Sequence, residues 1–297
     1  MPAYLACLRD CWVLSPRRRA CVRMDGRHLS CRLLIRRCHV LLTVVADYGI
    51  GDLAFAEVRQ RLALLLPEAD VTAIPVPPFD TVSAGFCVAQ LAFGKGPADR
   101  VLYANVAPRQ DNDAPRAGNA GERLVACRLP TGVLVVGVAA GASMSFLAEA
   151  GLPLRAVRVA DAGSQFRSRD VFPGAVAALA RGDASLLGSE VTVAGPPPRS
   201  VVYVDGYGNL KTSWYDPPAE VGARVRVDIG GRQVVAVVSD GVFAVPDGQI
   251  SFAPGSSGWP MGDGRHRACY ELFARGASAA EMFGQPGAGT AVEILAE

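Results

Sequence analysis

The chain has 297 residues, of which 50% are hydrophobic and 20% charged. That is enough apolar material for a packed core and too little charge for a disordered chain. The net charge of +2 is unevenly placed: residues 1–39 hold nine arginines against Asp10 and Asp25, so the rest is mildly acidic and makes no general electrostatic case for nucleic acid.

Residues 1–39 read as a basic leader outside the fold, better explained by a mis-assigned start codon than by a transit peptide. The leader lacks the continuous apolar core of a signal peptide. It carries Cys7, Cys11, Cys21, Cys31 and Cys38, whose spacings match no C-x2-C zinc pattern. Cys87, Cys127 and Cys269 sit in apolar contexts and read as small core residues. With no disulfide framework, a reducing cytoplasm is the expected location. The most apolar stretch, Val133 to Ala148, is broken by Gly137, Gly141, Ser143 and Ser145, so no membrane span is expected.

The fold is expected to begin at Val40-Leu41-Leu42-Thr43-Val44-Val45, an apolar β-branched run typical of a buried strand. A glycine-containing loop, Ala46 to Asp52, leads into a helix over Leu53–Leu66, stopped by Pro67. A second strand over Val71–Val76 closes on Pro77-Pro78-Phe79-Asp80. There follow a helix over Thr81–Phe93 and strands at Arg100–Val106, Arg123–Arg128 and Val133–Val138. A helix at Ser143–Ala150, a strand at Arg155–Val159 and a helix at Asp170–Arg181 complete the first part. Strands alternating with helices predict a mostly parallel sheet covered on both faces, an α/β/α sandwich over residues 40–190. Ligands of such sheets sit at the carboxyl ends of the strands, where Asp47, Phe79, Pro108 and Phe166 fall.

Residues 191–199, with Gly195-Pro196-Pro197-Pro198, read as a Pro-rich linker. Beyond it come short β-type runs at Val201–Val204, Val225–Ile229, Gln233–Val238, Gln249–Phe252, Cys269–Ala274 and Ala291–Leu295, separated by turns such as Gly230-Gly231. Over residues 200–297 that texture predicts a small antiparallel β-barrel or sandwich, with one helix near Ala277–Phe283, and the barrel is the expected form.

There is no G-x-G-x-x-G after the first strand, no P-loop and no H-E-x-x-H. Of the three histidines, His28 and His39 lie in the leader and His266 in the second part, so no metal is expected and histidine triads are disfavoured. Chemistry must use Asp, Arg, Ser, Tyr and backbone groups. Four segments remain. Asp47 and Asp52 lie on a strand-to-helix loop, where a carboxylate can accept both hydroxyls of a ribose; Asp52 fits a helix N-cap equally well. Pro77-Pro78-Phe79-Asp80 can present an aromatic face from a rigid turn. Ser164-Gln165-Phe166-Arg167-Ser168-Arg169-Asp170 heads a helix. Val204-Asp205-Gly206-Tyr207-Gly208-Asn209-Leu210 has the composition of a hairpin turn, yet a turn does not require both the aromatic and the flanking Asp and Asn.

In that order, these segments resemble the S-adenosylmethionine hydroxide adenosyltransferase, chlorinase and fluorinase family, over about residues 43–297. The family reads Thr-Asp-Phe-Gly, Pro-Pro-Phe-Asp, Val-Asp-Pro-Gly-Val-Gly, Thr-Phe-His-Gly-Arg-Asp and Asp-x-Phe-Gly-Asn. This chain has Ala46-Asp47-Tyr48-Gly49, Pro77-Pro78-Phe79-Asp80, Val106-Ala107-Pro108, Gln165-Phe166-Arg167-Ser168-Arg169-Asp170 and Asp205-Gly206-Tyr207-Gly208-Asn209. Ser256-Ser257-Gly258-Trp259 and Arg275-Gly276-Ala277-Ser278-Ala279-Ala280 resemble two further stretches of the family, separated here by an apparent insertion around residues 260–267.

The resemblance implies a homotrimer that binds S-adenosylmethionine between the α/β part of one subunit and the barrel of its neighbour, with no other cofactor. Asp47 would hold the ribose hydroxyls, and Phe79 and Phe166 would pack on the nucleoside. Asp205 would take the methionine ammonium, beside Tyr207, and Ser257, next to Ser256, would lie near the carboxylate. Asn209 and the backbone near Ala277, in the Arg275 stretch, would read the adenine edge. The implied reaction is substitution or hydrolysis at C5′, with water or a halide as nucleophile and Arg167 and Ser168 as the catalytic candidates. The departures lie in the water-activating set. Ala107 replaces an Asp, with Asn105 two residues earlier. Arg167 replaces a His and, always protonated, cannot act as a base. Val138-Ala139-Ala140-Gly141 replaces Pro-Asp-Asn-Gly, and Arg109 or Arg116 would have to stand for a lost loop arginine. The alternative is therefore a nucleoside- or S-adenosylmethionine-binding protein that has lost the chemistry.

Overall fold

A computed structural model describes residues 20–21, 34–35, 40–108, 114, 121–160, 164–261 and 263–295. The leader lies outside the described residues, except that Ala20–Cys21 and Leu34–Ile35 pair antiparallel with each other. Arg109 and Arg116 also lie outside them.

The first strand, β1 (Val40–Ala46), is followed by α1 (Leu53–Leu65), β2 (Ala69–Pro75) and α2 (Thr81–Phe93). Then come β3 (Val101–Asn105), β4 (Leu124–Arg128), β5 (Leu134–Val138) and α3 (Ser145–Glu149). After β6 (Arg155–Val157), a single helical turn α4 (Arg167–Asp170) runs into α5 (Phe172–Ala180) and then β7 (Leu187–Glu190). The seven strands order as β2-β1-β3-β5-β4-β6-β7. β2, β1, β3 and β5 are parallel neighbours, whereas β4, β6 and β7 pair antiparallel. The sheet is thus mixed, not mostly parallel. The cause is local: β4 and β5 are joined by the tight turn Leu129–Val133, and a parallel connection needs a crossover of roughly a dozen residues.

Alternation in β3 sends Leu102 and Ala104 to one face and Val101 and Tyr103 to the other. The second face packs on Val58 and Leu62 of α1 and on Val176 and Leu179 of α5. The first packs on α2 and α3 through Phe86, Val88, Phe146 and Leu147. Helices therefore cover both faces, as expected.

The second sheet contains β8 (Val201–Val204), β9 (Leu210–Thr212), β10 (Arg224–Ile229), β11 (Arg232–Val238), β12 (Ile250–Pro260), β13 (His266–Ala274) and β14 (Val292–Leu295), with α6 (Ala279–Met282) between the last two. Their order is β8-β9-β13-β12-β11-β10-β14, and a bridge from Ser200 to Ala291 joins the two outer ends, so the sheet curls on itself. It too is mixed. β11 and β12 are parallel, because residues 239–249 cross over between them, and this corrects the expected all-antiparallel barrel. Its interior holds Val227, Phe252, Leu272 and Phe283.

The two sheets share a core. Val202, Trp259, Met261 and Cys269 of the second pack in one apolar cluster with α2, α3 and the first sheet. α2 lies between them, which is why most of its residues are buried and most of those are small: Ser83, Ala84, Gly85, Cys87, Ala89 and Ala92. Among the described residues, no helix is long and apolar enough to cross a membrane.

Candidate functional site

The parallel strands deliver one group of predicted residues to a common edge. Asp47 follows β1 and Phe79 follows β2. The Asp47 carboxylate accepts the Phe79 N–H at 3.0 Å and so ties the two loops together. Phe79 is held at φ +62°, a left-handed backbone unfavourable for a bulky residue, with 57% of its surface exposed. The adjacent Asp80 caps α2 through the Ser83 N–H at 2.8 Å and its hydroxyl at 2.6 Å. Asp52 accepts the Ala54 N–H at 2.7 Å, so the N-cap accounts for it and it does not join the group.

Behind Asp47 lies a buried polar chain. The Tyr48 ring makes edge contacts with Phe55 at 5.0 Å and Phe166 at 5.8 Å between centroids. Its hydroxyl donates to Ser168 Oγ at 2.6 Å and accepts from Asn105 Nδ2 at 2.9 Å. The Tyr103 hydroxyl donates to the Ser168 carbonyl at 2.8 Å. Burial pushes the Tyr48 phenol up to about 12, with Asp47 adding to the shift and the Ser168 and Asn105 hydrogen bonds opposing it. Tyr48 and Asn105 thus join Ser168 although they stand 120 and 57 residues from their partners in this chain. Tyr48 adjoins Asp47 in sequence, but nothing there links it to Ser168.

Arg167 turns inward and is only 9% exposed. Its guanidinium donates to the carbonyls of Glu122 at 3.4 Å and Ala160 at 3.1 Å and lies 4.8 Å above the Phe172 ring. Its Nε is buried without a hydrogen-bond partner. Arg169 covers Phe166 at 4.9 Å and pairs with Asp170 at 2.7 Å and Glu57 at 3.2 Å. Hydrogen bonds from Arg169 and from the Ser164 hydroxyl hold Asp170 down to about 2. Phe166 therefore has one face taken by Arg169 and an edge contact with Tyr48. Ala107 follows β3 half-buried and carries no polar group.

The second group gathers around the turn between β8 and β9. Asp205 Oδ1 accepts the N–H groups of Tyr207 at 2.9 Å and Asn209 at 3.1 Å, and Oδ2 accepts Asn209 Nδ2 at 3.0 Å. The carboxylate thus organises its own turn. Gly208, at φ +78°, lies where a side chain would strike Ser278, and its carbonyl accepts the Ala280 N–H at 2.8 Å. Asn209 is thereby brought beside the start of α6, next to Ala277. Tyr207 projects into solvent.

Lys211, one of only two lysines in the chain, belongs to no motif in the sequence and emerges only from the fold. Its Nζ lies 2.8 Å from Glu271 Oε2 and 3.9 Å from Asp205 Oδ2. Glu271 is 1% exposed, and its Oε1, without a hydrogen-bond partner, is pressed against Gly255, where any side chain would collide. Gly255 opens a bulge in β12 between Pro254 and Gly258 that leaves Ser256 exposed and Ser257 buried. Arg275 does not join this group: it donates to the Val245 carbonyl at 2.9 Å and lies 5.9 Å from the Phe243 ring.

Among the described residues, no hydrogen bond, ion pair or ring contact joins the Asp47 group to the Asp205 group, and no cluster of three or more His, Cys, Asp or Glu side chains is placed to share a metal ion. A separate cleft of about 530 Å³ lies between Pro196, Arg199, Trp214, Tyr215 and Arg267 and contains none of the predicted site residues.

No family model matches the chain, and no curated protein matches it in sequence. Its fold is similar to solved structures. An uncharacterized conserved protein from Thermotoga maritima superposes with a TM-score of 0.66 at 18% identity, over 86% of this chain and 100% of that one. A conserved hypothetical protein from Thermus thermophilus gives 0.57 at 26% identity, with the same coverages. These likenesses establish the fold and leave the chemistry to the site.

Proposed function

We propose that the chain binds S-adenosylmethionine and substitutes or hydrolyses it at C5′. Support comes chiefly from one observation: the Asp47 and Phe79 loops are tied by a hydrogen bond at the strand ends, and Tyr48 links them to Phe166 and Ser168. An acidic acceptor, an exposed aromatic and a buried hydroxyl thus converge where open α/β sheets take ligands. The Asp205–Asn209 turn, docked on the start of α6, supplies the polar contacts for the amino-acid and adenine ends. In this arrangement residues 40–190, the α/β/α half, face residues 200–297, the barrel half, of a neighbour in a trimer.

The chemistry asks little of the protein, because the sulfonium is its own leaving group. A nucleophile aligned behind C5′ and stripped of water forms the new bond as C5′–S breaks. Water gives adenosine, methionine and a proton; a halide gives the 5′-halogenated nucleoside and methionine. Arg167 donates to carbonyls and cannot take the proton, and Ala107 has no group to do so. That observation favours the second reading, a binding protein without the chemistry.

Incubation of purified protein with S-adenosylmethionine, with and without chloride, separates the two. Adenosine or chlorinated adenosine with methionine is the expected result. Binding without product leaves the second reading, and no binding removes both. Asp205→Ala is expected to weaken binding at least tenfold, about 1.4 kcal/mol, in calorimetry.

A further inference from the structure

The hydrogen-bond directions around Ser168 form a one-way chain. Asn105 Nδ2 carries only hydrogens, so the Tyr48 oxygen accepts there, at 2.9 Å. Tyr48 has one hydrogen of its own and donates it to Ser168 Oγ at 2.6 Å. Ser168 Oγ thereby accepts, and its single hydrogen is left over. Among the described residues no acceptor meets that hydrogen, although Ser168 is only 6% exposed. A buried hydroxyl rarely leaves its donor unused. The Ser168 backbone is fixed as well, because its carbonyl accepts the Tyr103 hydroxyl at 2.8 Å. Tyr48 is packed against Phe55 and Phe166, which leaves its ring little freedom to turn away.

We propose that Asn105 and Tyr48 are positioning residues that orient the Ser168 hydroxyl as a hydrogen-bond donor to the small nucleophile, a water oxygen or a halide. The proposal rests on the C5′-substitution reading for its ligand, but the polarity of the chain stands on the geometry alone. Tyr48 stays protonated through the physiological range, so the direction is not reversed by modest changes of pH. In sequence, Tyr48 stands where the resembled family has phenylalanine, and Asn105 falls outside its Val-Asp-Pro motif, so the device belongs to this chain's own residues.

Two measurements on the full chain test it. The first needs no ligand. Proton NMR of the wild type is expected to show a downfield, slowly exchanging hydroxyl resonance that disappears in Tyr48→Phe and moves upfield in Ser168→Ala. Absence of the resonance, or an unchanged shift in Ser168→Ala, means that Tyr48 does not donate to Ser168 and overturns the relay. The second is turnover of S-adenosylmethionine. Tyr48→Phe keeps the ring packing, and it and Ser168→Ala are each expected to lower kcat about tenfold with KM within about twofold. The double variant should be no slower than the slower single, because both break one bond, and Ser168→Thr should restore most of the rate. Losses that multiply, or a raised KM at unchanged kcat, overturn the positioning role. A wild type with no turnover sinks the proposed reaction and the catalytic use of the relay together, while the resonance still decides the hydrogen-bond direction.

Discussion

At Phe79 two costs oppose each other. A left-handed backbone costs a bulky residue roughly 1–2 kcal/mol, and glycine would remove it. Glycine also loses more entropy on folding, by roughly 0.5–1 kcal/mol. The ring gives little packing in return, since more than half of its surface is exposed and no aromatic ring lies against it among the described residues. Phe79→Gly is therefore expected to leave the thermal midpoint within a few degrees of wild type. If the ring stacks on the nucleoside, a contact worth about 1–3 kcal/mol is lost and affinity for S-adenosylmethionine falls tenfold or more. A midpoint drop the size of a core deletion, with affinity intact, would make the ring structural. The same distinction separates Asp52 from Asp47. Asp52 has a helix to cap, whereas Asp47 holds a strained aromatic loop.

Among the elements, the β12–β13 hairpin departs furthest from its sequence. The expected strands stop at Phe252 and resume at Cys269; the ladder instead runs out to Pro260 and returns from His266. Pro254, Gly255 and Gly258 disguise a bulged strand as a loop, and the apparent insertion is its turn. The extension carries Trp259 into the shared core, 5.8 Å from Phe86, 6.1 Å from Phe93 and 5.7 Å from Phe146. Gln90 of α2 secures it by accepting the Gly258 N–H at 3.1 Å. Trp259→Ala is expected to cost about 3–5 kcal/mol, read as a lower denaturant midpoint at unchanged slope. A loss below about 1 kcal/mol would show the hairpin to be an appendage. Elements with continuous apolar runs, such as β1 and α2, are legible from periodicity alone. β7 and β9 are not, being four and three residues long with polar members such as Ser189 and Lys211. The β4–β5 pairing was legible in principle, because the four residues between the predicted strands allow only a hairpin. The site divides the same way. Asp47, Phe79 and Asp205 lie in loops whose composition marks them. The chain from Asn105 through Tyr48 to Ser168 exists only once β1, β3 and α4 are side by side.

Across the whole molecule, the shared core makes the two sheets one cooperative unit, and its ionisable groups give a way to test that. Cys87 on α2, Cys127 on β4 and Cys269 on β13 belong to the same apolar cluster. Burial pushes all three thiols up to about 12 from an ordinary value of 9.0. A raised value in the fold means that the neutral form is favoured there. The stability this contributes is complete below about pH 9, where unfolded thiols are also neutral, and is lost as pH rises towards 12. Each such group steepens the loss by about 1.4 kcal/mol per pH unit, so three together give about 4 kcal/mol per unit, with Tyr48, Tyr103 and Tyr215, whose phenols burial also pushes up, joining above pH 10. Against a total stability of roughly 5–15 kcal/mol, alkaline unfolding is expected within about two to three units above pH 9. Denaturant melts across that range should show one transition, with tryptophan fluorescence and circular dichroism of the sheets falling together. Cys127→Ala should flatten the pH slope by about one thiol's share, at the cost of a small cavity. Two separated transitions would mean that the sheets unfold independently, and α2 would then be a dispensable contact between them, not the centre of a common core.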